Sequence, residues 1–396
     1  MILSEKSKAI SASPTLAIDA KYKAMLAEGI DVVGFGTGEP DFDTPDNIKK
    51  AAIAAIESGF TKYTPASGLL ALKQAVCDKF KRENGLDYEP SQIVISNGAK
   101  HSLVNAFSAI LNPGDEVIIP APYWVSYPEM VKLADGVPVV VDTTEADGFK
   151  VTVENLKAAL TAKTKAIVLN SPSNPTGMVY TSAELKAIAD FAVENNIFVI
   201  SDEIYEHLIY TEGEGHISIA SFNDDIKKLT IVINGVSKSY AMTGWRIGYA
   251  AAAPEIAKIM SNVQSHAASN PSSISQYATI EALNGPQDSV EKMRLAFKER
   301  REYMVSRINS INGVSCLMPD GAFYVMMNIS AIKGKTFGGE VINTSDDFCR
   351  VLLEKAQVAL VPGSGFGADD FVRWSYAASM EKIKTGLDRL EKILAE

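Results

Sequence analysis

Residues 166–200, AIVLNSPSNPTGMVYTSAELKAIADFAVENNIFVI, decide the fold class of this 396-residue chain. The stretch begins with the apolar run 166–169 and ends with the apolar run 197–200. A helix is predicted between them, because Thr181 and Glu184 have the spacing of a capping box and the apolar residues that follow recur at i, i+3, i+4 and i+7. A strand, a helix and a second strand in this order predict a parallel βαβ unit.

The same alternation continues on both sides of this unit. Short β-branched runs occur at 93–95, 117–119, 139–141 and 230–233, with helical or turn segments between them. Uninterrupted apolar strands separated by helices are typical of a mainly parallel sheet that is buried on both faces. We therefore predict an α/β fold whose large domain, residues 46–290, contains this sheet flanked by helices.

The two ends of the chain have a different pattern. Residues 291–396 combine charge-rich helical segments with the short apolar run 323–327, which predicts a smaller α+β domain. The first 45 residues carry three glycines and two prolines between positions 34 and 45. We interpret residues 1–45 as an extended N-terminal arm that also forms part of the small domain.

Composition and charge exclude several classes of protein. A hydrophobic share of 46% supports a large buried core and excludes global disorder. The 38 basic and 48 acidic residues give a net charge of −10, which argues against nucleic acid or an anionic membrane as a partner. No apolar stretch approaches the roughly 18 residues of a membrane span, and no signal-peptide pattern is visible. Three widely spaced cysteines and four histidines without ligand spacing predict a cytoplasmic enzyme without a metal site.

Polar residues follow several predicted strands at the carboxyl end, where ligands gather in open parallel sheets. Gly98-Ala99 forms a turn from strand to helix, and its free N–H groups suit an anion. Asp202 and Lys238 each follow a β-branched run, which suggests a cationic ring near the acid and an imine-forming amine nearby. Taken singly, Asp202 is better explained as a helix N-cap and Lys238 as a solvated surface lysine.

The combination of motifs is more specific than any one of them. Asn-Pro-x-Gly at 174–177, Asp-x-x-Tyr at 202–205, Ser-Lys at 237–238 and Arg246 together resemble the pyridoxal-phosphate (PLP) dependent aminotransferases of fold type I. The chain is most similar to class I, subgroup Ib, the aspartate aminotransferase-like enzymes. Longer matches occur in the expected order along the whole chain: GEPDFDTP at 38–45, KYTPASG at 62–68, YWVSYP at 123–128, SKSYAMTGWRIG at 237–248 and RWSY at 373–376. The resemblance implies a seven-stranded sheet in the large domain.

The resemblance assigns catalytic roles to residues at the strand ends. Lys238 would hold the cofactor aldehyde covalently and move the substrate proton. Asp202 would pair with the pyridine nitrogen of the cofactor and keep it protonated. Tyr205 and Asn174 would donate hydrogen bonds to the ring oxygen, and Trp124 would stack on the ring. Asn174 and Trp124 would also face the substrate.

A second group of residues would hold the cofactor phosphate. The resemblance implies the backbone amides of Ala99 and Lys100, the Ser237 hydroxyl and the Arg246 guanidinium. Tyr63 would reach the phosphate of the neighbouring subunit, which implies a homodimer with shared active sites.

Two groups of glycines bear on the cofactor assignment. Some relatives have a serine three residues before the lysine, where this chain has Gly235, so one phosphate contact would be missing or replaced by water. The glycines at 34, 36 and 38 do not have the spacing of a dinucleotide fingerprint, and Pro40 follows where a helix should begin. We therefore reject a nicotinamide cofactor.

The substrate assignment depends on few residues. Arg373 would hold the substrate α-carboxylate bidentately, with the Gly38 backbone beside it. No arginine occurs between positions 246 and 294, so the arginine with which another branch binds the distal carboxylate is absent. In subgroup Ib a lysine and a hydroxyl serve instead, and they match Lys100 and Thr15. The sequence therefore predicts transfer between L-aspartate and 2-oxoglutarate, with oxaloacetate and L-glutamate as products.

Other functions were weighed against this one. A prephenate, aromatic or alanine aminotransferase, or a PLP-dependent lyase, has the same fold. A PLP-sensing regulator would need a DNA-binding module, for which the net charge and the short segment before Gly34 leave no place. An inactive homologue would be expected to have lost Lys238, Asp202 or Arg373, and all three are present.

Overall fold

The computed structural model describes residues 3–11, 14–213 and 215–395. Its strands, in chain order, are β1 (Val33–Gly34), β2 (Ile93–Ser96), β3 (Glu116–Ala121), β4 (Val137–Asp142), β5 (Thr164–Asn170), β6 (Phe198–Asp202), β7 (Thr230–Gly235), β8 (Gly248–Ala251), β9 (Ser315–Cys316), β10 (Tyr324–Asn328), β11 (Thr336–Phe337), β12 (Glu340–Val341), β13 (Val358–Ala359), β14 (Val361–Pro362) and β15 (Phe371–Ser375). Its α-helices are α1 (Glu5–Lys8), α2 (Pro14–Ala27), α3 (Asp46–Glu57), α4 (Leu70–Asn84), α5 (Ala99–Ile110), α6 (Ser126–Leu133), α7 (Val153–Ala159), α8 (Ser182–Asn195), α9 (Asp224–Leu229), α10 (Pro254–Ala267), α11 (Ser273–Asn284), α12 (Asp288–Ser310), α13 (Ser345–Ala356) and α14 (Met380–Leu394).

A seven-stranded sheet forms the centre of the molecule, in the order β2-β8-β7-β6-β5-β3-β4. β8 runs antiparallel to both of its neighbours, and the other adjacent pairs are parallel. This confirms the predicted α/β fold with a mainly parallel sheet. The residues of β2, β7 and β8 are fully buried, as expected for strands covered by helices on both faces.

The βαβ unit that decides the fold is formed by β5, α8 and β6. The Thr181 side chain accepts a hydrogen bond from the Glu184 backbone N–H, and the Glu184 carboxylate accepts one from the Thr181 backbone N–H, so the predicted capping box is present. The apolar face of α8 is buried against β5 and β6, through Leu185, Ile188 and Ala192 among others. Burial of this face stabilises the helix in its place beside the sheet.

The sequence pattern did not indicate β8. Its residues, Gly-Tyr-Ala-Ala, include no β-branched side chain, so they do not read as a strand. Small residues are needed there for a steric reason, because a Cβ on Gly248 would overlap the backbone nitrogen of Ala99. The close approach of strand and helix thus removed the signal by which strands are recognised.

The expectation of an extended arm at the N-terminus is wrong. The described part of residues 1–45 contains the helices α1 and α2 before the short strand β1. The glycines and prolines on which the expectation rested lie at position 34 and beyond. Upstream of them, α2 begins with a proline, which suits the first turn of a helix, and continues with alanine, leucine and lysine, which favour helix.

The remainder of the chain builds a second sheet, in the order β14-β15-β10-β9, with α12, α13 and α14 packed around it. Its core includes Phe35, Phe297, Phe323, Trp374 and Leu387. The domain boundaries near residues 45 and 290 stay a prediction. Among the described helices, none is long and apolar enough to cross a membrane.

Candidate active site

A cavity of about 410 Å³ lies where the carboxyl ends of β5, β6 and β7 face the second sheet. The N-terminus of α5 closes one side of it, and the backbone of residues 36–39 closes the other. It is lined by Lys23, Gly36, Thr37, Gly38, Glu39, Ala99, Lys100, Leu103, Trp124, Tyr127, Asn170, Asn174, Asp202, Ile204, Tyr205, Ser237, Lys238, Thr243, Arg246, Tyr324 and Arg373. Eleven of the thirteen residues predicted for the site lie in this one lining.

Lys238 lies in the loop after β7 and extends its amine into the cavity. The Nζ atom donates a hydrogen bond to the Gly38 carbonyl at 2.5 Å and lies 5.9 Å from the centre of the Tyr205 ring. Burial disfavours the charged ammonium and lowers the pKa of Lys238 to about 8. The amine therefore loses its proton far more readily than an ordinary lysine does.

Asp202 is the last residue of β6 and is buried. Its Oδ2 accepts a hydrogen bond from the Tyr127 hydroxyl at 2.7 Å, and its Oδ1 accepts one from the Ile204 backbone at 3.3 Å. Burial raises the pKa of Asp202 to about 6, although the Tyr127 hydrogen bond acts in the opposite direction. The carboxylate is therefore mainly ionised at neutral pH and is oriented by fixed donors.

Two tyrosines and an arginine form the wall opposite the strand ends. The hydroxyl oxygens of Tyr205 and Tyr324 are 2.9 Å apart and share a hydrogen bond. The Arg373 guanidinium lies over the Tyr324 ring, 4.4 Å from its centre. These contacts join the loop after β6 to strands β10 and β15 of the second sheet.

Arg373 projects from β15 and is held on two sides. Its Nη1 donates to the Asn174 carboxamide oxygen at 2.9 Å, and its Nη2 donates to the Gly36 carbonyl at 2.8 Å. Its Nε is buried without a hydrogen-bond partner among the described residues. Burial lowers the pKa of Arg373, but the guanidinium stays charged because its ordinary pKa is so high. A charged, oriented donor group with an unused N–H fits a carboxylate.

The N-terminus of α5 forms an anion-binding corner. Gly98, which precedes the helix, has a φ of 86°, a conformation open to glycine and disfavoured for other residues. Arg246 lies beside it and donates to the Thr243 carbonyl at 2.8 Å and the Asn97 carbonyl at 3.3 Å. The helix dipole, the free N–H groups and a guanidinium thus meet at one point, which suits a phosphate.

Lys100 is the second residue of α5, within the first turn at this corner, and lines the cavity. Its Nζ is 4.7 Å from the centre of the Trp124 ring, which in turn packs edge-on against Tyr127. Burial, and secondarily the charge of Arg246, lower the pKa of Lys100. Two cations held near each other at a helix N-terminus are mutually unfavourable unless an anion lies between or beside them.

Gly235 departs from the serine of some relatives for a steric reason. It pairs with Gly248 in the sheet, and a Cβ at Gly235 would lie 2.9 Å from the Gly248 Cα and 3.0 Å from the Ile247 carbonyl. This backbone has no room for a serine side chain. Position 235 therefore contributes no hydroxyl, and the adjacent hydroxyl of Ser237 is the one that lines the cavity.

Two predicted residues do not lie in the cavity lining. Tyr63 is 92% exposed on the surface of the chain. Thr15 belongs to α2, but its side chain lies outside the described part of the structure.

Among the lining residues that the sequence reasoning missed, Tyr127 and Tyr324 contact predicted site residues through their hydroxyls. Tyr127 binds Asp202, and its signal was present, since it belongs to the YWVSYP match at 123–128. Tyr324 lies within an apolar run that reads as an ordinary buried strand, so nothing local distinguished its hydroxyl from a core aromatic. Only the folded arrangement brings it to Tyr205.

Comparison with known proteins decides the family. The sequence model described as aminotransferase class I and II matches residues 30–390. The chain belongs to this family. It is 54% identical to the aspartate aminotransferase of Bacillus sp. (strain YM-2) over 99% of both chains. It is 46% identical to the aspartate/prephenate aminotransferase of Nitrosomonas europaea over the full length of both. The crystal structure of the aspartate aminotransferase of Rhizobium meliloti superposes with a TM-score of 0.96, at 44% identity, over 100% of this chain and 99% of that one.

Membership makes the protein a PLP-dependent aminotransferase that acts on small amino-acid and 2-oxo-acid substrates. The cavity fits this cofactor at three separate points. The corner at Gly98 and Arg246 suits its phosphate, the buried carboxylate of Asp202 suits a protonated ring nitrogen, and the amine of Lys238 suits its aldehyde. When bound, the cofactor supplies the electrophilic carbon and the electron sink for amino-group transfer.

Proposed function

We propose that this aminotransferase moves the amino group between L-aspartate and 2-oxoglutarate and produces oxaloacetate and L-glutamate. The supporting observation is that the lysines and arginines that line the cavity include one on each side of it, Arg373 from β15 and Lys100 from α5. A dicarboxylic amino acid offers one carboxylate to each of them. The relatives named as aspartate aminotransferases support the same assignment.

Arg373 is proposed to bind the α-carboxylate of the substrate. Its contacts to Asn174 and Gly36 fix the plane of the guanidinium and leave N–H groups for a ligand. A planar guanidinium matches a carboxylate with two parallel hydrogen bonds. The Gly38 backbone is proposed to lie along the same carboxylate. This contact orients the substrate so that its Cα–H bond faces Lys238.

Lys238 is proposed to accept the proton from the substrate Cα and to carry it in the 1,3-shift that transfers the amino group. A pKa of about 8 leaves a useful fraction of the amine unprotonated near neutral pH, and the pKa is close enough to neutrality for transfer in both directions. The Gly38 carbonyl holds the amine at the floor of the cavity. Asp202 is proposed to keep the ring nitrogen protonated through its remaining acceptor capacity.

The remaining predicted residues are proposed to bind the ring and the phosphate of the cofactor. Tyr205 and Asn174 would donate to the ring oxygen, and Trp124 would cover the ring face. The backbone amides of Ala99 and Lys100, the hydroxyl of Ser237 and the Arg246 guanidinium would bind the phosphate.

We propose that the active unit is a homodimer in the cytoplasm, and that Tyr63 completes the phosphate site of the partner. A tyrosine that is 92% exposed suits a residue with a role outside its own chain. Further apolar side chains are exposed on α3, α4 and α11, helices of which α11 packs against the other two; these are Ile53, Ile56, Leu70 and Tyr277. Such a patch is typical of a surface that a second copy covers.

The dimer is tested by complementation. A Tyr63→Ala variant and an Arg246→Ala variant are each expected to be weak alone. In mixed dimers one of the two sites receives both wild-type residues, so mixing is expected to restore activity. Sedimentation at assay concentration that finds a fully active monomer would refute the shared site.

Prephenate is a second candidate amino acceptor, because a full-length relative at 46% identity is named an aspartate/prephenate aminotransferase. Prephenate also carries two carboxylates, so it fits the same pair of cations.

The substrate class is tested by a series of half-reactions, in which aspartate, glutamate, alanine and phenylalanine are added singly and the cofactor absorbance is followed. Aspartate and glutamate are expected to react fastest. Equal rates with alanine would overturn the dicarboxylate assignment. Prephenate is then offered as acceptor to the aminated enzyme.

A further inference from the structure

Behind the cavity, on the far side of the loop that carries Lys238, lies a buried charge cluster of Lys79, Glu83, Glu206 and His207. Lys79 is fully buried and forms ion pairs with Glu206 and, at 3.5 Å, with Glu83. The His207 Nε2 atom lies 3.0 Å from the Glu83 carboxylate. None of these four residues lines the cavity, and the proposed chemistry does not use them.

The cluster contacts the chain on both sides of Lys238, at Asn234 before it and at Ser239 after it. On one side, the Asn234 side-chain amide donates to Glu206 at 2.6 Å, and its oxygen accepts from the Gly235 backbone at 2.7 Å. On the other side, the His207 Nδ1 atom lies 2.9 Å from the hydroxyl of Ser239. Asn234 and Ser239 are 1% and 2% exposed, so water does not compete for these contacts.

The rest of the loop is held by the buried side chains of Val236, Tyr240 and Met242 and, at Ala241, by a hydrogen bond of 2.7 Å from the Thr44 hydroxyl. The backbone hydrogen bonds that close it, from Val236 to Met242, measure 3.2–3.5 Å, which is long for an N–H···O bond. The cluster contacts of 2.6–2.9 Å are shorter, and one of them involves an ionised carboxylate. On either side of Lys238, the side chains of Asn234 and Ser239 thus make their short hydrogen bonds to the cluster.

A buried ion pair is a weak source of stability, because removing two charges from water opposes their attraction. Its benefit is geometric, since ionised groups impose fixed directions on their partners. The ammonium of Lys79 keeps Glu206 ionised and lowers the pKa of that carboxyl well below its usual range. The segment 202–207 thus directs Asp202 and Tyr205 into the cavity and Glu206 and His207 onto the cluster.

We propose that the buried charge cluster positions Lys238, by clamping Asn234 and Ser239 on either side of it so that the amine stays desolvated at the floor of the cavity. Asn234, Ser239, Glu206, His207 and Lys79 are then positioning residues for the proton transfer. The inference rests on the role of Lys238 in the proposed function.

Two variants and a matched control test the proposal. Asn234→Ala removes the bridge between Glu206 and Gly235. Ser239→Ala removes only the hydroxyl that contacts His207. Ser345→Ala is the control, because Ser345 is also a buried serine with a hydrogen bond to a charged side chain, that of Asp369, and it lies far from the loop.

The first measurement uses cofactor-free protein, so it does not depend on catalysis. Amine-reactive labelling of Lys238, followed by mass spectrometry across pH, gives the pKa of that amine. In the wild type it is expected near the value of about 8. A loosened loop lets water reach the amine, so both variants are expected to raise the labelling pKa, Asn234→Ala more than Ser239→Ala, and Ser345→Ala is expected to leave it unchanged. The charged groups around Lys238 (Glu39, Arg246, Arg373 and Asp202) are the same in every variant.

The second measurement is steady-state kinetics. In Asn234→Ala, kcat is expected to fall at least about tenfold while KM stays within about threefold, since misplacement of a reacting group by 1 Å costs up to about 100-fold. A wild-type labelling pKa and a wild-type kcat in Asn234→Ala would overturn the proposal. If Asn234→Ala does not fold, Ser239→Ala decides by the same two readouts. If Lys238 has no role in amino transfer, the labelling pKa still shifts but kcat does not, which separates failure of the proposed function from failure of the clamp.

Discussion

The two walls of the cavity are built in different ways. One wall consists of the carboxyl ends of adjacent strands and the start of α5, so hydrogen-bonded register fixes the relative positions of Asp202 and the loop of Lys238. The other wall is assembled from the backbone of residues 36–39 and from Tyr324 and Arg373, which come from the second sheet. Strand register also sets Tyr324 and Arg373 relative to each other, but this wall is joined to the strand ends by side-chain contacts between parts of the chain that are distant in sequence.

This difference in construction agrees with the different roles that are proposed for the two walls. A wall fixed by strand register suits side chains that must stay in place through a reaction. The side chains that are proposed to contact the cofactor are of this kind. A wall that meets the strand ends only through side-chain contacts suits recognition of a substrate that enters and leaves. We therefore expect substitutions on the strand-end wall to lower mainly kcat, and those on the opposite wall, or on the cations that face the substrate, to act on kcat/KM in a substrate-dependent way.

Lys238→Ala has the largest expected effect. It removes both the covalent attachment point and the proton carrier, so turnover is expected to fall at least about 10⁴-fold, the upper range for a general acid–base group. Borohydride reduction followed by mass spectrometry is expected to find the cofactor on Lys238 in the wild type and nowhere in the variant. Lys163→Ala, at an exposed lysine before β5, serves as the control. Full activity of Lys238→Ala would contradict the whole assignment of the strand-end wall.

Asp202→Asn has the next largest expected effect. Loss of a charge aimed at the reacting system is expected to lower kcat by about 10²–10³ and to change KM little. The negative charge of Asp202 raises the pKa of Lys238, so its removal is expected to lower the labelling pKa of that amine in cofactor-free protein below the value of about 8. A change in KM without a change in kcat would show that Asp202 serves substrate binding, and it would contradict the proposed division of tasks between the two walls.

Lys100→Ala sharpens the comparison, because Lys100 belongs to α5 on the strand-end wall but is proposed to serve the substrate. We expect a loss of about 1.5–3 kcal/mol in kcat/KM for aspartate, the range of a hydrogen bond to a charged group, and a much smaller loss for alanine or phenylalanine. The measurement is the half-reaction rate with each amino acid. Equal losses for all substrates would mean that Lys100 serves the phosphate instead.

Tyr324→Phe has the smallest expected effect. It removes the hydroxyl that shares a hydrogen bond with Tyr205 but keeps the ring under Arg373. A loss of about 0.5–1.5 kcal/mol in kcat/KM is expected, as for a hydrogen bond between neutral groups. Steady-state kinetics with aspartate would measure it. A loss as large as that of Asp202→Asn would show that the opposite wall takes part in the chemistry as directly as the strand ends do.

The two walls also differ in how far the sequence predicts them. Strands with β-branched runs, and the polar residues that follow them, have local signals, and these placed Ala99, Asp202 and Lys238 correctly at one edge of the sheet. Contacts across the cavity have no local signal. The Arg373–Asn174 hydrogen bond joins residues 199 positions apart, and only the resemblance to a family pointed to both of them.

The same reasoning explains the errors. β8 lacks β-branched residues because it must lie close to other backbone segments, so packing in three dimensions erased its local signature. The helix α2 was overlooked because the glycines and prolines downstream of it dominated the interpretation of residues 1–45. Tyr324 and Tyr127 are buried aromatic residues, and burial alone does not reveal which hydroxyls serve a site.

The contact of Gly235 and Gly248 has a consequence for how this enzyme tolerates change. Apart from the Ile204 side chain, what a new side chain would meet there is the main chain of residues 247 and 248 and of the start of α5, and main chain cannot turn aside as a flexible side chain can. In a saturation library, positions 235 and 248 should therefore be as depleted of active substitutions as position 238, although neither offers a functional group. A map of mutational sensitivity alone would assign these glycines to the chemistry, when their contribution is the space they leave empty.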